Sequence, residues 1–469
     1  LRIAGTLSYQ QRGGDETVEI EGLTLASDRS RVRLAGSVAD LATLKTDARL
    51  VIDKLAAEEM AKIAPQLLLK EDVSGRIDVK GTLADLIIAG SLQAGDAKLT
   101  LTAHGDLSAS PVRYRGQASI EQFDIRQMVD LGEIGGLIRG GLTAEGMGAR
   151  LPKLKARADL IIDGLRVGEW QLGTTSINAR IADAAAKLSG AVRGELGQAR
   201  WKGRFLLHEV PSYALELSVQ DLDLKRVAED KTPSGGRVNL EARLKGLGTA
   251  LREMDAQISV TVHPSTVGPV SIERGRLDAR VINARVKIAR GMLRARDTVF
   301  ELKGDIGTTP RARGELSYAL RVGELAPWLE LLGQEGSGEI ALTGSAAGTL
   351  DDLSAQGELR AAKLSVAGLG SERAAIDFAL RHLGRARPEG TVAMRVRGIE
   401  SGIGLETLNG RLTLIKARGP AAQLELRAQD RRARAHHLQA RLHSTRDGFS
   451  AELWDLSLAL PNGTWALAA

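Results

Sequence analysis

The stretches Val238-Asn239-Leu240-Glu241-Ala242-Arg243-Leu244 and Ile258-Ser259-Val260-Thr261-Val262 carry an aliphatic residue at every second position. Successive side chains of a β-strand point to opposite faces, so this alternation predicts strands with one apolar face and one polar face. The same pattern recurs at residues 99–103, 215–219, 412–414, 424–426 and 456–460. The sequence therefore predicts a protein built almost entirely of strands.

Short turn signals separate these strands, as at Gly235-Gly236, Pro388-Glu389-Gly390 and Asn462-Gly463. Strands joined by short turns pair antiparallel, because parallel pairs need a long crossover. The chain has room for roughly 25–30 strands spaced ~4.8 Å apart. The expected fold class is all-β: an elongated, repetitive, antiparallel-rich β-groove with short helices at its repeat junctions.

Four short helical patterns interrupt the strands, each after an acidic residue: Asp53, Asp124, Asp223 and Glu324. A carboxylate at this position can cap a helix or favour its positive N-terminus. Their apolar positions include Ala56, Met60, Ile63 and Leu67 in the first, Ile125, Met128 and Val129 in the second, Leu224, Val227 and Ala228 in the third, and Leu325, Trp328, Leu329 and Leu332 in the fourth. Pro327 and Gly333 suit the first turn and the end of the fourth helix.

A small-residue break and a strand follow each helix, and this order suggests a degenerate repeat. The repeats are predicted to span residues 1–52 (partial), 53–123, 124–222, 223–323 and 324–469, the last with an irregular C-terminal part. Each repeat from 53 onward begins with one of the four helices. We expect the helices to pack on an end or edge of the sheet and to shield Trp328 and Leu329.

The apolar surface is almost wholly aliphatic. The 469 residues include 5 Phe, 5 Trp, 4 Tyr and no Cys, which fits a sheet curled round an aliphatic interior better than stacked bulky layers. An open trough of this size would exceed the apolar patch that a soluble protein tolerates, so an apolar ligand such as an acyl chain should fill it. A closed, self-filled β-solenoid explains the periodicity equally well.

The predicted lining of the trough consists of the alternate aliphatic residues of these strands. They are Leu99, Leu101, Leu215, Leu217, Val219, Ile258, Val260, Val262, Leu412, Leu414, Leu424, Leu426, Leu456, Leu458 and Leu460. Their neighbours Glu216, Ser218, Ser259 and Thr261 should then face water.

Candidate chemistry is sparse. His208-Glu209-Val210-Pro211-Ser212 begins like a zinc-protease helix, but its fifth residue is Ser and it contains a proline. His436, His437 and His443 follow a basic run and fit a solvated surface better than a metal site. A net charge of +6 spread along the chain, with few aromatic residues, argues against nucleic-acid binding. The sequence thus predicts no catalytic residue, no metal, no cofactor and no enzyme activity.

The repeated order of elements resembles a known family. It runs from a helix at Leu325-Ala326-Pro327-Trp328-Leu329 through Gly336-Ser337-Gly338-Glu339-Ile340 and 344–353 to Ala355-Gln356-Gly357-Glu358-Leu359. This order of elements resembles the periplasmic repeats of the AsmA-like family and is most similar to its TamB group. The closing stretch 453–465 also resembles that group. The resemblance covers most of the chain and rests on repeat style.

That resemblance implies a taco-shaped β-groove that spans the periplasm, is anchored to the inner membrane and carries phospholipid toward the outer membrane. It also implies an outer-membrane partner barrel of the TamA type. The chain begins at Leu1 within a strand-like stretch, so we expect an excerpt whose anchor and barrel-binding parts lie elsewhere. The alternative function is a structural or interaction scaffold that assists outer-membrane protein assembly.

Overall fold

The computed structural model describes most of the chain. The described residues are 2–12, 15–40, 43–63, 70–128, 133–148, 153–206, 208–227, 235–250, 252–309, 312–349, 352–366, 368–383, 388–400, 404–416, 420–445, 448–460 and 462–467. The predicted helix positions Leu67, Val129 and Ala228 lie outside this set. The chain divides into two compact units, residues 1–217 and 218–469.

Within its described residues, the first unit contains thirteen complete strands and two helices. They are β1 (Arg2–Arg12), β2 (Asp15–Ala26), β3 (Arg31–Ala39), β4 (Lys45–Leu55), α1 (Ala57–Ile63), β5 (Val73–Thr82), β6 (Asp85–Ala94), β7 (Ala97–Asp106), β8 (Arg113–Asp124), α2 (Ile125–Met128), β9 (Ile134–Met147), β10 (Lys155–Val167), β11 (Trp170–Ala182), β12 (Ala185–Gly194) and β13 (Gly197–Leu206). The unit boundary falls within β14 (Ser212–Asp223).

The second unit contains the other two helices. Its elements are α3 (Leu224–Val227), β15 (Gly236–Leu247), β16 (Asp255–Val262), β17 (Ser265–Val267), β18 (Val270–Ile282), β19 (Arg285–Ala295), β20 (Thr298–Gly307), β21 (Gly314–Val322), α4 (Ala326–Leu331), β22 (Gly336–Thr349), β23 (Asp352–Val366), β24 (Leu369–Leu383), β25 (Glu389–Glu400), β26 (Leu405–Lys416), β27 (Pro420–Asp430), β28 (Ala435–Thr445), β29 (Gly448–Leu460) and β30 (Gly463–Ala466). In the described part of the chain, no helix has the length and apolarity needed to cross a bilayer.

The strands of the described residues form one antiparallel sheet of 30 strands, which confirms the prediction of an all-β, antiparallel-rich fold with a few short helices. Within each unit the sheet is a meander in which each strand pairs with the next along the chain. β16 and β17 together act as one interrupted strand between β15 and β18. A parallel contact joins Gly307 to Thr349.

Tight hairpins set the register of the meander. Asp183 and Ala184 have φ of 50° and 55°, and Asn283 and Ala284 have φ of 51° and 55°. Two central residues with positive φ form the type I′ turn, whose twist matches that of the flanking strands. These turns therefore join β11 to β12 and β18 to β19 so that directly paired residues stay on the same face of the sheet.

All four predicted helices are present, but the acidic residues cap only two of them. The Asp124 Oδ1 accepts a hydrogen bond from the Arg126 N–H at 2.9 Å, and the Asp223 Oδ1 accepts one from the Lys225 N–H at 3.0 Å. The caps expected at Asp53 and Glu324 are wrong. Asp53 belongs to β4 and binds Arg33, and at α1 the Asp72 Oδ1 instead accepts from the Ala57 N–H at 3.0 Å.

At α4 the N-cap residue is Leu325, which makes no side-chain capping bond. Pro327 lies in the first turn and Gly333 follows the helix with φ of 69°, both as predicted. Glycine adopts this left-handed conformation without the steric cost that other residues meet, so it ends the helix there.

Within each unit the helices lie at the same ends of the strands. Four strands separate α1 from α2, and six strand crossings separate α3 from α4 when β16 and β17 are taken as one. An even number of antiparallel crossings returns the chain to the edge that it left. We call this edge of each unit the helix edge.

Candidate apolar binding groove

One face of the sheet in the first unit carries continuous rows of uncharged residues, and we call this face, and its equivalent in the second unit, the inner face. Directly paired residues form a row across eleven strands: Leu34, Leu50, Ile77, Gly90, Leu101, Ala118, Leu142, Ala158, Ala179, Leu188 and Gly203. The adjacent row toward the helix edge includes Leu92, Leu99, Ile120, Gly140, Leu160, Ile177, Gly190 and Trp201. Neither row contains a charged residue.

The second unit repeats this arrangement. Its central row consists of Leu240, Val262, Gly275, Leu293, Phe300, Leu320, Leu342, Leu359, Ile376, Met394, Gly410, Leu426, Leu438 and Leu456. A neighbouring row includes Val260, Leu277, Gly291, Leu302, Tyr318, Gly344, Gly357, Phe378, Val392, Leu412 and Leu424. These rows also lack charge.

Large apolar side chains on this face keep part of their surface accessible. Among the described residues the buried apolar side chains are alanine, valine and isoleucine, and no leucine, methionine, phenylalanine or tryptophan is buried. A closed interior filled by its own side chains would bury its leucines, as protein cores do. The accessible leucines instead line a surface that another apolar molecule can cover.

The predicted lining residues can now be placed. Leu101, Val262, Leu426 and Leu456 belong to the central rows, and Leu99, Val260, Leu412 and Leu424 lie in the adjacent rows. Ile258 and Leu414 lie one row further on, paired with Ala279 and Gly390. Leu215 and Val219 are half-buried, Leu458 pairs with His436, and Leu217 and Leu460 are 39% and 47% exposed.

The predicted outward residues show their orientation through polar contacts. Glu216 forms an ion pair with Lys202 at 2.9 Å, and the Ser259 hydroxyl donates to the Asp278 Oδ1 at 2.9 Å. Ser259 and Thr261 are half-buried, as Val260 is. In β16 the two faces of the sheet are therefore distinguished by the cross-strand partners of each residue and not by the exposed fraction of its side chain.

Three of the four aromatic rings in these rows lie across a glycine of the neighbouring strand, namely Trp201, Tyr318 and Phe378, whereas Phe300 pairs with Leu293 and Leu320. Trp201 pairs with Gly190, where a Cβ would collide with the indole ring. Tyr318 covers Gly344 in the same way, and its hydroxyl donates to the Gln356 carbonyl at 3.2 Å. The three glycines therefore leave room for the neighbouring ring close to the sheet.

The outer face carries the charges. Asp78 accepts from Arg49 and Arg76, each at 2.7 Å, and Asp278 accepts from Arg276 at 2.7 Å. The Arg49 guanidinium lowers the pKa of the Asp78 carboxyl, and Arg276 lowers the pKa of the Asp278 carboxyl. These ladders keep charged groups in water and off the inner face.

The helix edge is sealed where the helices pack. The Trp328 indole N–H donates to the Thr298 hydroxyl at 3.0 Å, and Thr298 is buried at the start of β20. In the first unit Ile52, Val73 and Ile125 are buried at the corresponding edge. The packing of α4 on the sheet edge agrees with the position expected for Trp328.

The strand pleat places His436 and His437, two of the histidines that the sequence analysis set aside, on opposite faces of β28. His208 is exposed between β13 and β14. His437 points outward, with Nδ1 3.0 Å from Asp455, whereas His436 pairs with Ala428 and Leu458 on the inner face. Among the described residues, the ring nitrogens of His436 have no hydrogen-bond partner. Sequence spacing gave no sign of the Asp455 contact, because it depends on the register of β28 and β29.

No family model, curated protein or solved structure matches this chain. The physical character of the two faces is therefore the ground for assigning a function.

Proposed function

We propose that the chain is part of a lipid-carrying β-groove, a non-catalytic conduit whose inner face holds the acyl chains of phospholipid. The observation that carries this proposal is the set of uncharged rows whose leucines stay partly accessible. Burial of each CH₂ contributes ~0.8 kcal/mol, so a chain of sixteen carbons gains on the order of 10 kcal/mol by leaving water.

The uncharged surface is longest in the direction that crosses the strands. Along β7 it covers five inward residues, from Ala97 to Gly105, roughly 27 Å at ~3.4 Å per residue. Across the strands it continues without a charge from Leu34 to Gly203 and from Leu240 to Leu456. Successive lipids can therefore lie side by side, and a lipid can move along a row without passing a charged side chain.

The setting follows from the resemblance to AsmA-like repeats. The groove would lie in the periplasm, anchored to the inner membrane by a segment outside this sequence, and would carry phospholipid between the inner and outer membranes. An outer-membrane barrel of the TamA type would bind other parts of the protein.

Photo-crosslinking tests the conduit directly. A photoreactive residue replacing Val260 or Leu342, both in inner rows, should capture phospholipid in cells. The matched control is Gln257, an exposed residue of β16 that pairs with Lys245 and Arg280. It should capture none.

Charge substitutions at Val260 and Gln257 test lipid transport. Val260→Asp places a carboxylate in the apolar row at a cost of several kcal/mol, so lipid transfer should fall while the protein accumulates. Gln257→Asp places one between two cations and should be silent. Equal crosslinking from both faces, or normal transfer with several inward aspartates, would leave the scaffold that assists outer-membrane protein assembly as the better account.

A further inference from the structure

Four cations stand directly opposite one another on the outer face of the first unit. Arg157 of β10 pairs with Arg180 of β11, Arg180 pairs with Lys187 of β12, and Lys187 pairs with Arg204 of β13. Neighbouring strands lie ~4.8 Å apart, so four positive side chains project from four successive strands. Like charges directly opposite each other destabilise a sheet.

An outer row of the second unit that also carries several arginines avoids this repulsion. There Ala341 separates Arg321 from Arg360, and Ala375 separates Arg360 from Arg395. Arg360 is paired with Glu358 at 2.8 Å and Arg395 with Asp377 at 2.8 Å. Alternation with alanine and a nearby carboxylate is thus available to this fold, and the cation row of the first unit departs from it.

The cation row lines a depression of about 570 Å³. Asn178, Ser189 and Lys202 also line it and add neutral hydrogen-bonding groups and a fifth cation. Two carboxylates are present, Asp159 at 2.6 Å from Arg157 and Glu216 at 2.9 Å from Lys202. The cations therefore outnumber the carboxylates by five to two among the lining residues.

We propose that this depression binds a ligand that carries several linked phosphate groups. Arginine donates paired N–H groups that match phosphate oxygens, and lysine adds a point charge. A ligand with several phosphates in sequence would neutralise adjacent cations of the row and remove their mutual repulsion. In the part of the chain that the structure describes, no aromatic residue lines the depression, so the stacking that holds single-stranded nucleic acid is missing there.

Calorimetric titration with inorganic tripolyphosphate tests the site. The double variant Lys187→Gln/Arg204→Gln should weaken binding at least about tenfold, because each charged hydrogen bond removed is worth about one decade or more. The matched control is Arg395→Gln/Arg427→Gln, which removes two second-unit cations that are paired with Asp377 and Glu425. The control should bind as the original chain does.

A second measurement shows that the double variant folds. Without ligand, Lys187→Gln/Arg204→Gln should raise the thermal midpoint of the first unit, since it relieves repulsion. Added tripolyphosphate should raise that midpoint in the original chain and less in the variant. Equal weakening by both double variants would overturn the site in favour of diffuse charge. Failure to bind tripolyphosphate together with binding to phosphatidylglycerol vesicles would also overturn it and assign the face to a membrane surface.

Discussion

At the scale of single residues, glycine shapes the groove by leaving room for its neighbour. Gly190 is the clearest case, because a Cβ there would collide with the Trp201 ring and the Ser176 carbonyl oxygen. Gly190→Val should therefore displace the indole and destabilise β11–β13 by about 1–3 kcal/mol. Hydrogen exchange of the amides in these strands measures the loss locally.

The matched control is Gly141, an outward residue of β9 whose added Cβ would meet only the Ala118 oxygen, at 3.9 Å. Gly141→Val should be neutral or slightly stabilising, since β-branched residues suit strands. If both substitutions lowered protection alike, steric contact with Trp201 would not explain the effect.

At the scale of elements, the short helices act as covers for the helix edge. Trp328 of α4 is half-buried and donates to Thr298. Trp328→Ala should cost about 1–3 kcal/mol, less than the 3–5 kcal/mol typical of a fully buried tryptophan. Faster proteolysis between residues 326 and 336 would report the released helix.

Leu332→Ala provides the comparison, because this side chain is 72% exposed at the end of the same helix. It should leave proteolysis unchanged. A cost below ~0.5 kcal/mol for Trp328→Ala would show that α4 is held mainly by its chain connections.

The elements themselves could be predicted from local patterns, whereas their register could not. Period-two alternation located strands such as β16, and the acidic starts located α2 and α3. Cross-strand partners depend on turn geometry and bulges, such as the shift between Ile120 and Phe123 in β8. Sequence patterns alone could therefore not predict the pairing of Trp201 with Gly190 or the row of cations from Arg157 to Arg204.

At the scale of the whole molecule, stability should depend on pH through the outer carboxylates. The pKa is lowered at Asp53, Asp78, Asp255 and Asp278, first by the hydrogen bond from Arg33, Arg49, Arg280 and Arg276 respectively. A lowered folded pKa adds stability above the unfolded pKa, and this stability is lost as pH falls through the folded value. Urea midpoints should be flat from pH 7 to about 5 and fall below about pH 4.

Salt and substitution separate this effect from general acid unfolding. High salt screens exposed pairs, so 1 M NaCl should reduce the difference between neutral and acidic midpoints. Asp278→Asn removes one titrating group and should shrink the same difference. An unchanged midpoint between pH 7 and 3 would contradict the proposed contribution of these pairs.

The even count of strands between the helices constrains how such a chain can change in length. Insertion or deletion of one hairpin preserves the side on which the next helix emerges, whereas a single added strand transfers that helix to the opposite side and uncovers apolar residues such as Ile125. Tolerated length changes should therefore come in steps of two strands, about 10 Å of sheet. The hairpin is thus the unit by which this sheet can lengthen or shorten.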